Sequence, residues 1–372
     1  MNAKWKKAFK GENYLKNKGT FRMTGTDFEA DDKELFEHYF FTVDPGQEPL
    51  RIDKFLQLKI SGQSRSRIQA ACEAGCVKVN GKPVKQNHLV KPKDEISVFL
   101  HTPPQHIEII PQKIPLNIVL EDDELVIVNK PAGMVVHPAA GNYDGTLVNA
   151  LLWHFGNALP KQKAKLTENQ TFDRIGLVHR IDKNTSGLIL IAKTDFSMMK
   201  LSEYFMNKTI ERKYLALCWG IPNPTEGTIT GNIGRHPKDR KIMAVFPPDS
   251  DNGKHAVTHY KVLEDLGFIS LVECRLETGR THQIRAHFAH IGHPLFSDEE
   301  YGGRIVRRGF NTSSYKTFVK NTFELCPRQA LHSFSMRFPH PKSGKEVYAE
   351  APLPDDMKAC IQKWKKYTRV GL

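Results

Sequence analysis

The stretch LVHRIDKNTSGLILIAKT places one carboxylate, Asp182, between the cations Arg180 and Lys183, where an apolar strand end meets a strongly apolar second strand. Nearby positive charge favours the ionised carboxylate. An aspartate held in that form suits a nucleophile or a structural ion pair, and the residue types alone leave both open. Tyr214 follows 32 positions later in ERKYLALCWG and on spacing alone reads as core packing. Arg280 and Arg285 stand in LETGRTHQIRAHFAHIGHPL, where each reads as an ordinary surface cation. The same stretch holds His282, His287, His290 and His293, and imidazoles three residues apart on a helix can share a metal ion. Two arginines in the segment would repel a cation, and neither an HExxH element nor a cysteine set accompanies the histidines, so no metal site is expected.

These side chains need a frame. ELVIVNKP, SGLILIAKT, RKYLALCWG and FISLVECRLETG have the texture of strands, and GTLVNALLWHF, SMMKLSEYFMNK and THQIRAHFAHI that of helices. Regular strand–helix alternation and a glycine fingerprint are both missing, so the pattern predicts an α+β domain over residues 116–372 with a largely antiparallel, mixed sheet. Pro103, Pro104, Pro111 and Pro115 mark residues 101–115 as a linker.

Residues 49–100 predict a small α/β domain. LRIDKFLQLKI sets Leu50, Phe55, Leu58 and Ile60 at near-helical spacing, SRSRIQAACEAG gives a second helix ended by Gly75, CVKVNGKPV a hairpin turning at Asn80 and Gly81, and DEISVFL a further strand. Ten Lys or Arg against four Asp or Glu in residues 51–100 make this domain basic. Lys54, Arg65 and Arg67 could present a positive face to the phosphates of folded RNA, or simply a solvated surface. Residues 1–48 join a basic block, with seven Lys or Arg and one acid in residues 1–24, to an acidic one, and read as a charged extension.

The whole-chain balance agrees with a polyanionic partner: 54 Lys and Arg against 41 Asp and Glu leave a net charge of +13. Six cysteines show no paired framework and no CxxC unit, which fits a reducing, cytoplasmic setting. There is no secretory h-region and no apolar run of membrane-spanning length, so no membrane role is expected.

Several of these motifs carry a family resemblance. HRIDKNTSG resembles the signature of the RluA-type pseudouridine synthases, in which the aspartate is catalytic. LEDDELVIVNKPAGMVVHP, RKYLALCWG, LETGRTHQIRAHFAHIGHPL and ALHSFSMRFPHP resemble that family's other motifs in order, spanning residues 116 to about 352. RIDKFL, SRSRIQ, AGCVKVNGKPVK and KPKDEISV resemble the S-four-type RNA-binding domain. The resemblance implies the pseudouridine synthase fold and the isomerisation of uridine to pseudouridine in large-subunit (23S) ribosomal RNA, as in the RluC and RluD type enzymes. A transfer-RNA substrate, or a non-catalytic RNA-binding or ribosome-assembly role, is the alternative. It implies Asp182 as nucleophile, Tyr214 as the ring stacking on uracil, Arg285 as the partner of Asp182 with Arg280 its neighbour, and Arg180 beside the flipped-out nucleotide. Ile284 and Leu331 fit apolar pocket walls or core packing. The reaction needs no cofactor, metal or nucleotide, and the partner is ribosomal RNA, free or in a precursor particle. One departure is Ser297, in GHPLFSDEEYGG, where the family carries glycine; it bears on the backbone of that turn, because serine visits positive φ less readily.

Overall fold

The computed structural model describes residues 36–60, 64–100, 109–138, 142–167, 170–239 and 241–371. They fall into two compact units, a smaller one at the N-terminal end and a larger one that holds most of the chain.

The smaller unit runs β1 (Phe36–Thr42), β2 (Leu50–Arg51), α1 (Ile52–Lys59), α2 (Arg65–Glu73), β3 (Val77–Val79), β4 (Lys82–Pro83), β5 (Leu89–Val90) and β6 (Glu95–Leu100). β1, β6, β3 and β4 form one antiparallel sheet, and β2 pairs with β5. Asn80 and Gly81 both take positive φ, 50° and 78°, the geometry a two-residue hairpin turn requires. Ser64 caps α2, its side chain accepting from the Arg67 amide. Two expectations are corrected here. Leu58 is 69% exposed, because the buried stripe of α1 runs through Ile52, Phe55 and Leu56, leaving position 58 on the far side. Residues 36–42 belong to the sheet rather than to a charged extension: an aromatic run with a single acid, Glu37, pairs with β6, and Tyr39 and Phe41 pack on the core. Residues 1–35, and residues 101–108 of the expected linker, lie outside the described residues.

The larger unit continues with β7 (Ile118–Glu121), β8 (Leu125–Lys130), α3 (Leu147–Phe155), β9 (Lys161–Thr167), β10 (Gln170–Ile175), β11 (Ser186–Ala192), α4 (Asp195–Met206), β12 (Glu211–Trp219) and β13 (Glu226–Arg235). Then come β14 (Met243–Phe246), β15 (Lys254–Asp265), β16 (Ile269–Leu276), α5 (Gln283–His290), α6 (Ser313–Phe323), β17 (Leu331–Pro339), β18 (Glu346–Glu350) and α7 (Asp355–Gly371). Ten strands share one sheet in the order β14-β13-β15-β16-β12-β17-β11-β8-β7, with β18 also on β17. The expected α+β class and mixed sheet are observed: β11 runs parallel to β17, and the other pairings are antiparallel. β11 is buried along its whole length, Ile189 and Ile191 packing on one face of the sheet and Leu188 and Leu190 on the other, which is why SGLILIA reads as a continuous apolar run.

The central strands set the site. β12 lies against β17 with Tyr214 opposite Ser333 and Ala216 opposite Leu331, and on its other side against β16 with Tyr214 opposite Cys274. β11 meets β17 at Ser186 and Gly187. A side chain at Gly187 would collide with the Ser333 backbone, so glycine lets the strand after Asp182 close onto β17.

Candidate active site

A cleft of about 520 Å³ opens at these strand ends, lined by the turn before β11, by β12, by the β16–α5 turn and by the start of β17. It gathers Arg180, Asp182, Tyr214, Arg280, Ile284, Arg285 and Leu331, every residue expected at the catalytic or base-binding site.

Asp182 sits on a turn whose carbonyls are all engaged. Its own carbonyl accepts from the Thr185 amide at 3.1 Å. That of Lys183 accepts from the Gly133 amide at 2.9 Å and from Lys130 Nζ at 3.1 Å. That of Asn184 accepts from Arg328 Nη1 at 3.0 Å. Lys130 is fully buried and also donates to the carbonyls of Pro131 and Met134, while burial, with help from Arg328 and against the pull of Asp182, brings its ammonium down to about 7. Arg328 is pinned in turn by Asp356 at the start of α7, at 2.6 and 3.0 Å. A turn so fully bonded holds its carboxylate in one place.

The Asp182 side chain is 20% exposed, with Oδ2 3.3 Å from Arg285 Nη1 and Oδ1 3.9 Å from His282 Nε2. Arg285 is gripped harder elsewhere. Asp298, buried, takes its Nε at 2.7 Å and Nη2 at 2.8 Å, and Glu300 takes Nη2 at 2.6 Å. Burial opposes the guanidinium charge, but these carboxylates together with Asp182 outweigh it and raise its pKa above the ordinary arginine value. The Tyr301 ring lies 4.8 Å beneath the guanidinium, and its hydroxyl accepts from the Met243 amide at 2.8 Å and meets His282 Nδ1 at 3.1 Å. Burial lowers the His282 pKa in spite of Asp182, so this imidazole is neutral near pH 7.

Ile284 and Leu331 are buried and face the cleft, so both packing and wall roles are open to them. Tyr214 is buried as well; desolvation raises its phenol, with Arg212 pulling the other way, and it stays protonated at neutral pH. Arg180 and Arg280 are exposed at the rim, Arg280 donating to the His255 carbonyl at 3.0 Å. The histidines around α5 do not converge: His287 meets Thr258 Oγ1, His293 the Trp219 carbonyl and His282 Tyr301. Among the described residues no group of three or more potential ligands is placed to hold a metal.

Sequence reasoning missed Asp298, Glu300 and Tyr301, although all lie in the SDEEYGG stretch noted for its Ser297. That serine adopts φ 63°, keeping the conformation glycine favours, and its buried hydroxyl finds no hydrogen-bond partner among the described residues.

On the smaller unit, Asp53 is fully buried and accepts from Arg51, Arg65 and Gln69. Arg65 is therefore tied into the fold, while Lys54 and Arg67 carry no ion pair among the described residues. Burial alone would raise the Asp53 pKa, but those donors outweigh it and hold the carboxyl down at about 2.

The cleft sets a carboxylate beside a fixed guanidinium, with an aromatic and aliphatic wall and a basic rim. Comparison with known proteins identifies the family. Residues 124–290 match the family model described as RNA pseudouridylate synthase, and residues 50–96 match the S4 domain. The chain is 47% identical over 317 residues to an uncharacterized RNA pseudouridine synthase of Chlorobaculum parvum, covering 85% of this chain and 94% of that one. It is 42% identical over 310 residues to the ribosomal large subunit pseudouridine synthase D of Zymomonas mobilis, covering 82% and 91%. Among solved structures, human RNA pseudouridylate synthase domain containing 4 shares the fold, with a TM-score of 0.51 and 23% identity over 67% of this chain and 93% of that one. The chain belongs to the RluA family of RNA pseudouridine synthases, with an S4 RNA-binding domain at its N-terminal end. Among the described residues no helix is long and apolar enough to cross a membrane.

Proposed function

We propose that this enzyme isomerises uridines of large-subunit ribosomal RNA, with Asp182 as nucleophile. The observation that carries the chemistry is the Asp182 carboxylate, 3.3 Å from Arg285 Nη1 and open to a cleft sized for a base. In the reaction the bond from ribose C1′ to uracil N1 breaks, the base turns, and C1′ bonds to C5; N1 gains a proton and C5 releases one. Arg285 holds the Asp182 carboxylate aimed, and Asp298 holds Arg285. Tyr214 supplies the face on which uracil stacks, Ile284 and Leu331 flank it, and Arg180 and Arg280 occupy the rim, Arg180 bracing the stack the flipped base has left. The reaction so written calls for no cofactor. Ribosomal RNA as substrate is supported by the S4 domain and by relatives named for the large ribosomal subunit. Lys54 and Arg67 are the S4 side chains assigned to its phosphates in this reading, and the location that goes with it is cytoplasmic.

The test uses unmodified large-subunit rRNA carrying tritium at uracil C5, with wild type and Asp182→Asn. Release by wild type alone, with no free uracil, is the expected result. Release only from transfer RNA would refute the substrate, and an active Asp182→Asn enzyme would refute the nucleophile.

A further inference from the structure

Arg212 is 7% exposed and lines the same cleft as Asp182 and Tyr214, yet among the described residues its side chain makes no hydrogen bond and no ion pair. Its Nε is buried with no acceptor. The guanidinium carbon sits 5.2 Å from the centroid of the Phe205 ring, and a Cβ added at Gly279 would lie 3.2 Å from Nη1. An aromatic face and a glycine thus seat the group, but neither neutralises it.

Burying an arginine with no counter-charge is strongly unfavourable, because a guanidinium cannot shed its proton as the buried Lys130 ammonium can, and the other buried arginines of this unit avoid it. Arg285 is met by Asp298 and Glu300, and Arg328 by Asp356. The acids lining the cleft offer Arg212 nothing: Asp182 faces Arg285, and Glu277 is engaged by Lys208 at 3.2 Å and His259 at 2.7 Å. The missing charge must then arrive with the ligand. A uracil carbonyl is neutral and would leave most of the debt standing, whereas a phosphodiester carries a full negative charge and matches the guanidinium fork. Arg180, Arg280 and Lys208 around the same opening draw the backbone towards it.

We infer that Arg212 binds a phosphodiester of the substrate RNA next to the nucleotide that enters the cleft, so that one backbone charge is read inside the site itself. This rests on the RNA-modifying reading above. Gly279 then leaves space for the fork, and Phe205 is its platform.

The experiment uses the full chain and a short transcript containing a uridine that the wild type converts in the tritium assay. Affinity is measured against potassium chloride concentration for wild type, Arg212→Gln and Arg212→Lys, with melting temperatures recorded for each. Arg212→Gln is expected to bind about tenfold more weakly at low salt, with a slope of log affinity on log salt shallower by about 0.7, the share of one single-strand phosphate. Arg212→Lys should recover the slope while losing part of the affinity. At saturating RNA, turnover should change much less than affinity. An unchanged slope with active wild type would overturn this assignment alone, as would a loss of turnover at unaltered affinity, which would put the guanidinium on the base. A wild type that converts no uridine in any transcript would remove the RNA-modifying reading and this inference with it.

Discussion

Three carboxylates surround one guanidinium, and the structure ranks them. Asp298 is 1% exposed and takes two nitrogens of Arg285, whereas Asp182 is 20% exposed and takes one at 3.3 Å. Asp298→Asn should therefore damage the fold and Asp182→Asn should not. Removing one partner of a buried pair costs about 3–5 kcal/mol, and because Glu300 and Asp182 remain the lower figure, about 3, applies. For a domain of this size that is roughly 6–12 °C in melting temperature. Asp182→Asn loses only a long, partly solvated contact, about 1 kcal/mol or less and under roughly 4 °C, and it thins the repulsion among the carboxylates. Trp219 and Trp364 are fully buried in the larger unit, so tryptophan fluorescence follows its melting directly. In single-turnover tritium release Asp182→Asn should be dead, whereas Asp298→Asn, still holding the Asp182 carboxylate, should be slowed on the order of a hundredfold by a misaimed Arg285. If Asp182→Asn melts as early as Asp298→Asn, or Asp298→Asn melts with wild type, the ranking is wrong.

Two further outcomes follow from the buried charges and the backbone. The Asp53 carboxyl is held at about 2 in the folded chain against 3.8 for a free aspartate, so the folded state keeps its proton off longer; the stability this gives is full above pH 4 and is lost as pH falls towards 2. It amounts to about 2 kcal/mol, and amide exchange in β3 and β6 should show that loss in wild type and not in Asp53→Asn; a parallel acid response in both proteins would refute it. Ser297→Gly should raise the melting temperature by about 2–4 °C, since it removes a left-handed serine and a partnerless hydroxyl at once, while Ser297→Ala keeps the strained φ and should gain less. Equal melting of the glycine and alanine variants would show that the backbone angle is not the cause.

Strand and helix patterning made the element types and the mixed sheet legible, because alternation and apolar runs record which faces are covered. Asp182 stood out in the sequence for its flanking cations, but the role proposed for it came only through the family motif. Arg285 was recognised without its anchor: Asp298 is 13 residues away across an irregular turn, and no period links the two. Arg212 left a trace that went unused. It stands two residues before Tyr214 in a strand, and side chains i and i+2 share a face, so a tyrosine in the cleft implied an arginine beside it. Lys130 ends an apolar strand like any terminal cation, and only the folded chain shows three carbonyls closing over it. Strand β1 was hidden by the acidic run before it, although its aromatics carried the β preference.

The parallel contact of β11 with β17 joins residues far apart in the chain: Ser186 Oγ meets His332 Nδ1 at 2.9 Å across a separation of 146 residues. During synthesis the turn bearing Asp182 leaves the ribosome long before the strand that completes its wall. At about 5–20 residues per second the wait is roughly 7–30 s, and through it β11 has an unpaired edge and the Asn184 carbonyl lacks Arg328. An RNA pseudouridine synthase is thus made on the ribosome while its cleft is still unassembled, and the turn bearing Asp182 gains its last partners only when nearly the whole chain has emerged.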